Sequence, residues 1–535
     1  MHRRLKNIGS FALVALSAGT VVTAHAQEPA KPLPPMSPAD VAPPGSEGSL
    51  SLDPTTPQVA ALPGGVTPAY GQKSQSEGEW RFDFHGFLTA PLVIGIGSRS
   101  MPTPDQSGTT LHTPPAVPDD LETFSHTGVV PTTYAQLNFS QGTSLVSAHM
   151  SIVARQANAS TSFLEPASQL GVTDLYVSLL PRLERARTEI FIGAFASRYG
   201  SPGEYDEGRY GTPLIARVNG IGERASVRAP FGAWTLMAEE GLAGQSNKAN
   251  AATTPDVWND FANPSEGTSF VAHGHAGAKY ARWATLGLHL LHAWSQDDRG
   301  NNNVIGAPGT NPSQPDARMN IYAAELRVTA GRFGHFYIAG SYTDASNVTT
   351  LSRIVSVLNT RGGPGLIANY LGPNSNGNGN LTTIGGQYDL SIGKFVSYPV
   401  PFSGDGPDLF VSLFGIITHV NSDDKLFDPN GRYYDGVTKR KLGGEVTYSL
   451  LSWLALSGRY DRVDPDTQDL TYSFSVISPR VILRSDWLST DQIVLQYSHW
   501  FNGANTLIRV GDPPMENITW LPDKDMVSLS ASMWW

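Results

Sequence analysis

Residues 525–535 read DMVSLSASMWW. Val527, Leu529, Ala531, Met533 and Trp535 share one parity, and Ser528, Ser530 and Ser532 the other. Alternation of this kind is the period of a strand with one apolar face. A frayed terminus has no use for large aromatics. The spacing therefore predicts a strand whose apolar face is covered up to its last residue.

The same texture recurs upstream from Trp80. In 133–140 (TYAQLNFS), Ala135, Leu137 and Phe139 oppose Tyr134, Gln136 and Asn138. In 321–329 (IYAAELRVT), Tyr322, Leu326 and Val328 oppose Glu325, Arg327 and Thr329. In 441–450 (KLGGEVTYSL), Leu442, Val446, Tyr448 and Leu450 oppose Lys441, Glu445, Thr447 and Ser449. Eighteen such segments run from 81–97 to 524–535. Their junctions alternate in length. Short ones such as 229–232 (APFG), 282–283 (RW) and 330–332 (AGR) come at every second place, and long ones such as 98–131, 241–267, 344–380 and 501–523 between them. The junction 392–407 breaks the rule by being long. Short turns on one side and long loops on the other describe a membrane barrel better than a sandwich or propeller. Closure also satisfies every backbone group in lipid, where an open edge cannot exist. The expectation is an all-β, transmembrane, antiparallel up-and-down barrel of eighteen strands, with sixteen as the alternative count. Trp80, Trp234, Tyr280, Trp283, Trp294, Tyr460, Trp500 and Trp535 lie at strand ends, where interfacial aromatics belong.

Composition agrees. Of 535 residues, charged ones make up only 16% and hydrophobic ones 40%, so the chain is neither a typical soluble domain nor a helical membrane protein. There is no cysteine, which excludes disulfides, thiolate metal sites and cysteine nucleophiles. The net charge of −10 argues against nucleic acid as a partner.

Residues 1–26 read as a signal peptide: Arg3, Arg4 and Lys6, then the apolar run FALVALSAGTVV, then a small-x-small site at Ala24–Ala26. Residues 27–79 are rich in Pro, Ala, Ser and Gly and cannot bury a core, so they read as a disordered periplasmic linker before a barrel at 80–535. The linker serves either as a spacer or as a contact for the cell wall or a periplasmic partner.

Parity assigns Arg81, Arg155, Arg224, Arg228, Lys279, Arg327, Lys441 and Arg459 to the lumen, with Asp83, Asp174, Glu239, Glu325, Asp389, Glu445 and Asp461. The eight basic and seven acidic groups nearly cancel, which suits neutral or mixed solutes better than a strongly ion-selective pore. His85, Tyr134, Tyr176, His273 and His275 complete the expected lining. A register slip of one residue in any strand would move its members to the other face. One long junction, 196–223, differs in carrying Arg198, Tyr199, Glu204, Tyr205, Asp206, Glu207, Arg209, Tyr210 and Arg217. Folded inward, it would constrict the pore; left outside, it is an ordinary solvated loop.

Catalysis finds no support. Ser498 and His499 are adjacent and so point to opposite faces. No cofactor and no metal is expected. His273 and His275 share a strand face, yet no carboxylate pair stands near them in the sequence.

Phe84-His85-Gly86-Phe87, the run Thr133-Tyr134-Ala135 with Leu137, and the terminal Trp534-Trp535 resemble motifs of maltoporin-like sugar porins. The resemblance covers these short motifs near both ends of the barrel. It implies an eighteen-stranded homotrimer, an inward loop after the fifth strand, and a path for sugars along lumen aromatics, with Phe87, Tyr134, Tyr176 and Tyr337 as candidates. The absence of cysteine and the Pro-rich linker depart from that family. The expected function is an outer-membrane porin passing small hydrophilic solutes, carbohydrates included. Its partners would be the lipid bilayer and the barrel assembly machinery, the latter recognising Trp534 and Trp535. The alternative is an adhesin or scaffold acting through its long loops.

Overall fold

The structure is a computed structural model. It describes residues 81–96, 129–143, 145–157, 167–183, 186–199, 215–246, 268–281, 283–296, 317–330, 333–346, 355–356, 379–392, 407–427, 433–464, 466–468, 470, 473–485, 491–502, 507–508, 519–520 and 523–534.

These residues form eighteen long strands. They are β1 (Arg81–Ile96), β2 (Val129–Gly142), β3 (Val146–Ala157), β4 (Ala167–Leu179), β5 (Ala186–Tyr199) and β6 (Ala216–Phe231). Then come β7 (Trp234–Ser246), β8 (Thr268–Tyr280), β9 (Ala284–Gln296), β10 (Arg318–Thr329), β11 (His335–Ser346) and β12 (Gly379–Ser391). The last six are β13 (Asp408–Phe427), β14 (Tyr433–Leu451), β15 (Leu454–Asp464), β16 (Phe474–Leu483), β17 (Asp491–Asn502) and β18 (Lys524–Trp534). Each long strand pairs antiparallel with its predecessor and successor, and β18 pairs with β1 from Phe87↔Trp534 to Ile96↔Asp525. The ladder therefore returns to its first strand, and no long strand is left as an edge. This is the eighteen-stranded up-and-down sheet that the alternation predicts. No described helix is long and apolar enough to cross a membrane.

Alternation decides which way each side chain points. Outward, β9 shows Leu286, Leu288 and Leu290, all exposed, while inward it buries Thr285, His289 and Ser295. β18 keeps Leu529 and Met533 outside and Ser528 and Ser532 inside. In β4 a bulge at Thr173 interrupts the pairing with β3, so that Val172 is 56% exposed and Asp174 only 2%. The extra residue switches the parity in mid-strand.

Aromatics mark both rims. Phe231, Trp234, Tyr280, Trp283, Phe333 and Trp453 are exposed at the short turns. At the other end Phe270 stacks on Trp294, 5.5 Å between ring centroids. From Trp283 to Trp294 a strand rises about 36 Å, which at a tilt of about 45° spans about 25 Å, the height of an outer-membrane apolar band.

Three expectations need correction. Trp500 lies at a strand end as expected but does not face lipid: it has inward parity, is 1% exposed and stacks on Phe474 at 4.9 Å, packed with Val463 and Val476. Residues 421–437, which alternation leaves as a junction between the segments 408–420 and 438–449, are mostly strand, because β13 and β14 continue to pair past an irregularity between Asn421 and Leu426. Its polar residues read as a loop, but a bulge lets the pairing resume beyond them. The junction 196–223 is also shorter than expected, since β5 runs to Tyr199 and β6 starts at Ala216.

Candidate functional site

The inner wall carries the polar chemistry, in three cross-strand patches. The first is aromatic. His149, Tyr176 and Phe191 stand side by side on β3, β4 and β5, with centroid separations of 4.7 Å and 4.6 Å, and the Arg224 guanidinium of β6 lies 4.1 Å over the Phe191 ring. Register builds this rank, since His149 faces Tyr176 and Phe191 faces Arg224 across adjacent strands. Gly193 lies opposite Tyr176 at φ +145°; a Cβ there would meet the Leu175 carbonyl oxygen and the Tyr176 backbone. The rank thus depends on a residue without a side chain at that point.

The second patch lies on β8, β9 and β10. His275 faces His289 directly, with ring centroids 4.3 Å apart. His289 Nε2 is 3.1 Å from Glu325 Oε1, and the Tyr337 hydroxyl of β11 donates to Glu325 Oε2 at 3.3 Å. His273 Nδ1 lies 3.8 Å from Glu239 Oε1 of β7. The carboxylates absent near the two histidines in the sequence therefore come from other strands: Glu239 beside His273, and Glu325, 50 positions from His275, in the group with His275 and His289.

The third patch, on β14, β15 and β16, is a charge network. Arg459 Nε donates to Asp461 Oδ2 at 2.7 Å, and Arg480 donates to Glu445 Oε2 at 3.1 Å. Lys441 Nζ stands 3.9 Å from Asp461, and Arg459 also stacks 4.6 Å over Phe414. Lys441 and Asp461 are 0% exposed. Buried charges persist only when paired and hydrogen-bonded; here Arg459 finds Asp461 on its own strand, Lys441 reaches Asp461 on the next, and Arg480 reaches Glu445 across β15.

Of the expected lining residues, Tyr176, Arg224, His273, His275, Glu325, Arg327, Glu445 and Arg459 are buried on the inner face, and Arg228 and Lys279 are half-buried. Their burial departs from the expectation of a lining held out in water. Arg81, Asp83, His85, Tyr134 and Arg155 hold strand positions in β1, β2 and β3, where register sets His85 opposite Asn138 and Tyr134 opposite Arg155. Their side chains lie outside the described residues, as does that of Phe87. In the expected constriction, Arg198, Tyr199 and Arg217 are strand residues, with Arg198 opposite Arg217. Glu204, Tyr205, Asp206, Glu207, Arg209 and Tyr210 lie outside the described residues. Trp534 ends β18 opposite Phe87, and Trp535 lies outside the described residues. Ser498 and His499 do point apart: Ser498 shares a 2.7 Å hydrogen bond with Ser478 inside, while His499 meets Asp525.

Two features escaped the sequence reading. Arg480 is inward, but β16 also sends Phe474, Val476 and Ile482 inward, so hydrophobic parity there does not distinguish the faces. Val355–Ser356 forms a two-residue strand on Val218 and Arg217 of β6. It occupies the β6 edge beyond the point where pairing with β7 begins, at Ile221↔Gly244. No local pattern signals a contact between segments so far apart.

No protein family matches the chain, and no curated protein is similar to it by sequence. Among solved structures it is similar to OmpTdeltaL8, a loop L8 deletion mutant of OmpT, an outer membrane protein of Vibrio cholerae, at 10% identity and a TM-score of 0.34, covering 85% of this chain and 99% of that one. It is similar to OccD3 (OpdP) of Pseudomonas aeruginosa at 9% identity and a TM-score of 0.39, covering 89% and 97%. It is similar to the outer membrane protein opdK from Pseudomonas aeruginosa at 12% identity and a TM-score of 0.36, covering 85% and 98%. At these scores the likenesses decide neither fold nor activity, and the architecture rests on the strand pairing itself.

Proposed function

We propose that the chain is an exported barrel of the bacterial outer membrane through which small hydrophilic solutes pass by diffusion. One observation carries the proposal: a closed ladder of strands turns aliphatic side chains outward and polar, charged ones inward. Lipid favours such an outer face, and closure removes the unpaired edges it would not tolerate. Balanced inward charge supports neutral or mixed solutes. The aromatic rank of Tyr176 and Phe191 beside Arg224 supports carbohydrates among them. Residues 1–26 as signal peptide, 27–79 as periplasmic linker, a homotrimeric state, and Trp534 with Trp535 as the signal for assembly belong to the same proposal, as does a constriction by the junction that holds Glu204 and Arg209.

A second reading has one observation in its favour. The charges of β14–β16 are paired with each other and withdrawn from solvent, as in a closed scaffold whose long loops act as an adhesin. Planar-bilayer recordings of the refolded protein separate the two. The first reading expects discrete, weakly ion-selective steps that added oligosaccharide reduces, with step size altered by Arg209→Gln or Glu204→Gln. Absence of any conductance from correctly folded barrel would overturn it in favour of the scaffold.

A further inference from the structure

The second patch of the inner wall brings together three groups of metal-ligand chemistry from three consecutive strands. His275 of β8 and His289 of β9 occupy one cross-strand row, and Glu325 of β10 stands opposite Gly287 in the next. One donor atom from each of His275, His289 and Glu325 lies within 4.8 Å of the others. Metal–ligand bonds of about 2.1 Å place neighbouring donors roughly 3–3.4 Å apart. His289 Nε2 and Glu325 Oε1, at 3.1 Å, already stand at that separation.

Two further observations point to a ligand. Neither ring nitrogen of His275 has a hydrogen-bond partner, although the residue is only 5% exposed. A buried imidazole left so costs stability unless something binds it. Gly287 also leaves a hollow between the donors. A Cβ there would come within 2.7 Å of Glu325 Oε1 and 3.1 Å of His275 Nε2. The Tyr337 hydroxyl holds the other carboxylate oxygen, as outer-shell donors commonly do in metal sites.

We propose that His275, His289 and Glu325 form a binding site for a divalent transition-metal cation of the zinc, copper and cobalt class on the inner wall of the barrel. Two imidazoles and one carboxylate select such ions over calcium and magnesium, which take oxygen ligands. The remaining coordination positions are left to water or to a passing solute. The site stands whether or not the barrel conducts.

The test uses the full-length protein refolded in detergent, with folding checked by heat-modifiable gel mobility. After dialysis against chelator it is titrated with Co2+, then with Zn2+ and, separately, Ca2+. The expected result is a visible Co2+ absorption of a nitrogen-ligated ion, saturating at about one ion per chain. Zn2+ displaces it and Ca2+ does not. His275→Ala lowers affinity roughly tenfold or more, and His275→Gln gives the same loss if the alanine variant fails to fold. Gly287→Ala keeps all three ligands but fills the hollow, and it weakens binding as well. Equal Co2+ binding by the wild type and these variants, or equal binding of Ca2+, overturns the proposal.

Discussion

On β14–β16, Lys441, Glu445, Arg459, Asp461 and Arg480 face inward, and each stands within 4.0 Å of an opposite charge. On β8–β10, His275 is equally withdrawn from solvent, yet its ring nitrogens have no hydrogen-bond partner. Both regions obey the same alternation and the same closed ladder. They differ in how buried polarity is satisfied. Fixed ion pairs complete one another and leave nothing to offer. Imidazoles, which change role with tautomer and ligand, keep a capacity to bind. Burial alone therefore does not mark a site on this wall; burial with unused donor capacity does.

The largest effect that can break this contrast is expected from Asp461→Asn. It leaves Lys441 and Arg459 buried without their shared countercharge and should cost about 3–5 kcal/mol in urea unfolding of the reconstituted barrel. A cost near zero would mean that water reaches the network. Glu445→Gln comes next, at about 1.5–3 kcal/mol, because Arg480 loses a charged acceptor while Thr447 and Ser457 still find an oxygen. On the other side, His275→Leu in chelator should be neutral or stabilising by up to ~1 kcal/mol, since it removes polar atoms that lack partners. With Zn2+ added the order reverses: the wild type gains stability and the variant does not. Strong destabilisation of His275→Leu without metal would show that the ring is structural. Tyr337→Phe removes one hydrogen bond to Glu325 and should cost about 0.5–1.5 kcal/mol. It should weaken Co2+ binding while leaving the absorption spectrum in place.

Much of the architecture was legible from period and junction length. A strand can be read one residue at a time, because its neighbours alternate whatever the rest of the chain does. So alternation puts Leu442, Val446 and Tyr448 outside and Lys441, Glu445 and Thr447 inside, and the structure has them there. Alternation misleads where a second rule intervenes. The inward apolar residues of β16 hid Arg480, and Trp500 looked interfacial because its type prefers interfaces, although its parity is inward. Hairpin pairing beyond a bulge extended β13 and β14 into residues that looked like loop.

The candidate site was half legible. His273 and His275 were visible as a pair on one face, since two residues apart is a local relation. Glu325 lies 50 positions from His275, and only pairing register sets them together. By itself the sequence determined the face of most side chains and the apolar outer wall, because each follows from alternation; junction length narrowed the strand count to eighteen or sixteen, and the closed pairing decided for eighteen. Tertiary structure alone decided which inward groups of different strands meet. Adjacent strands are joined by hydrogen bonds between backbones that carry no side-chain label, so the partner of each residue depends on register, and register is a property of the closed sheet.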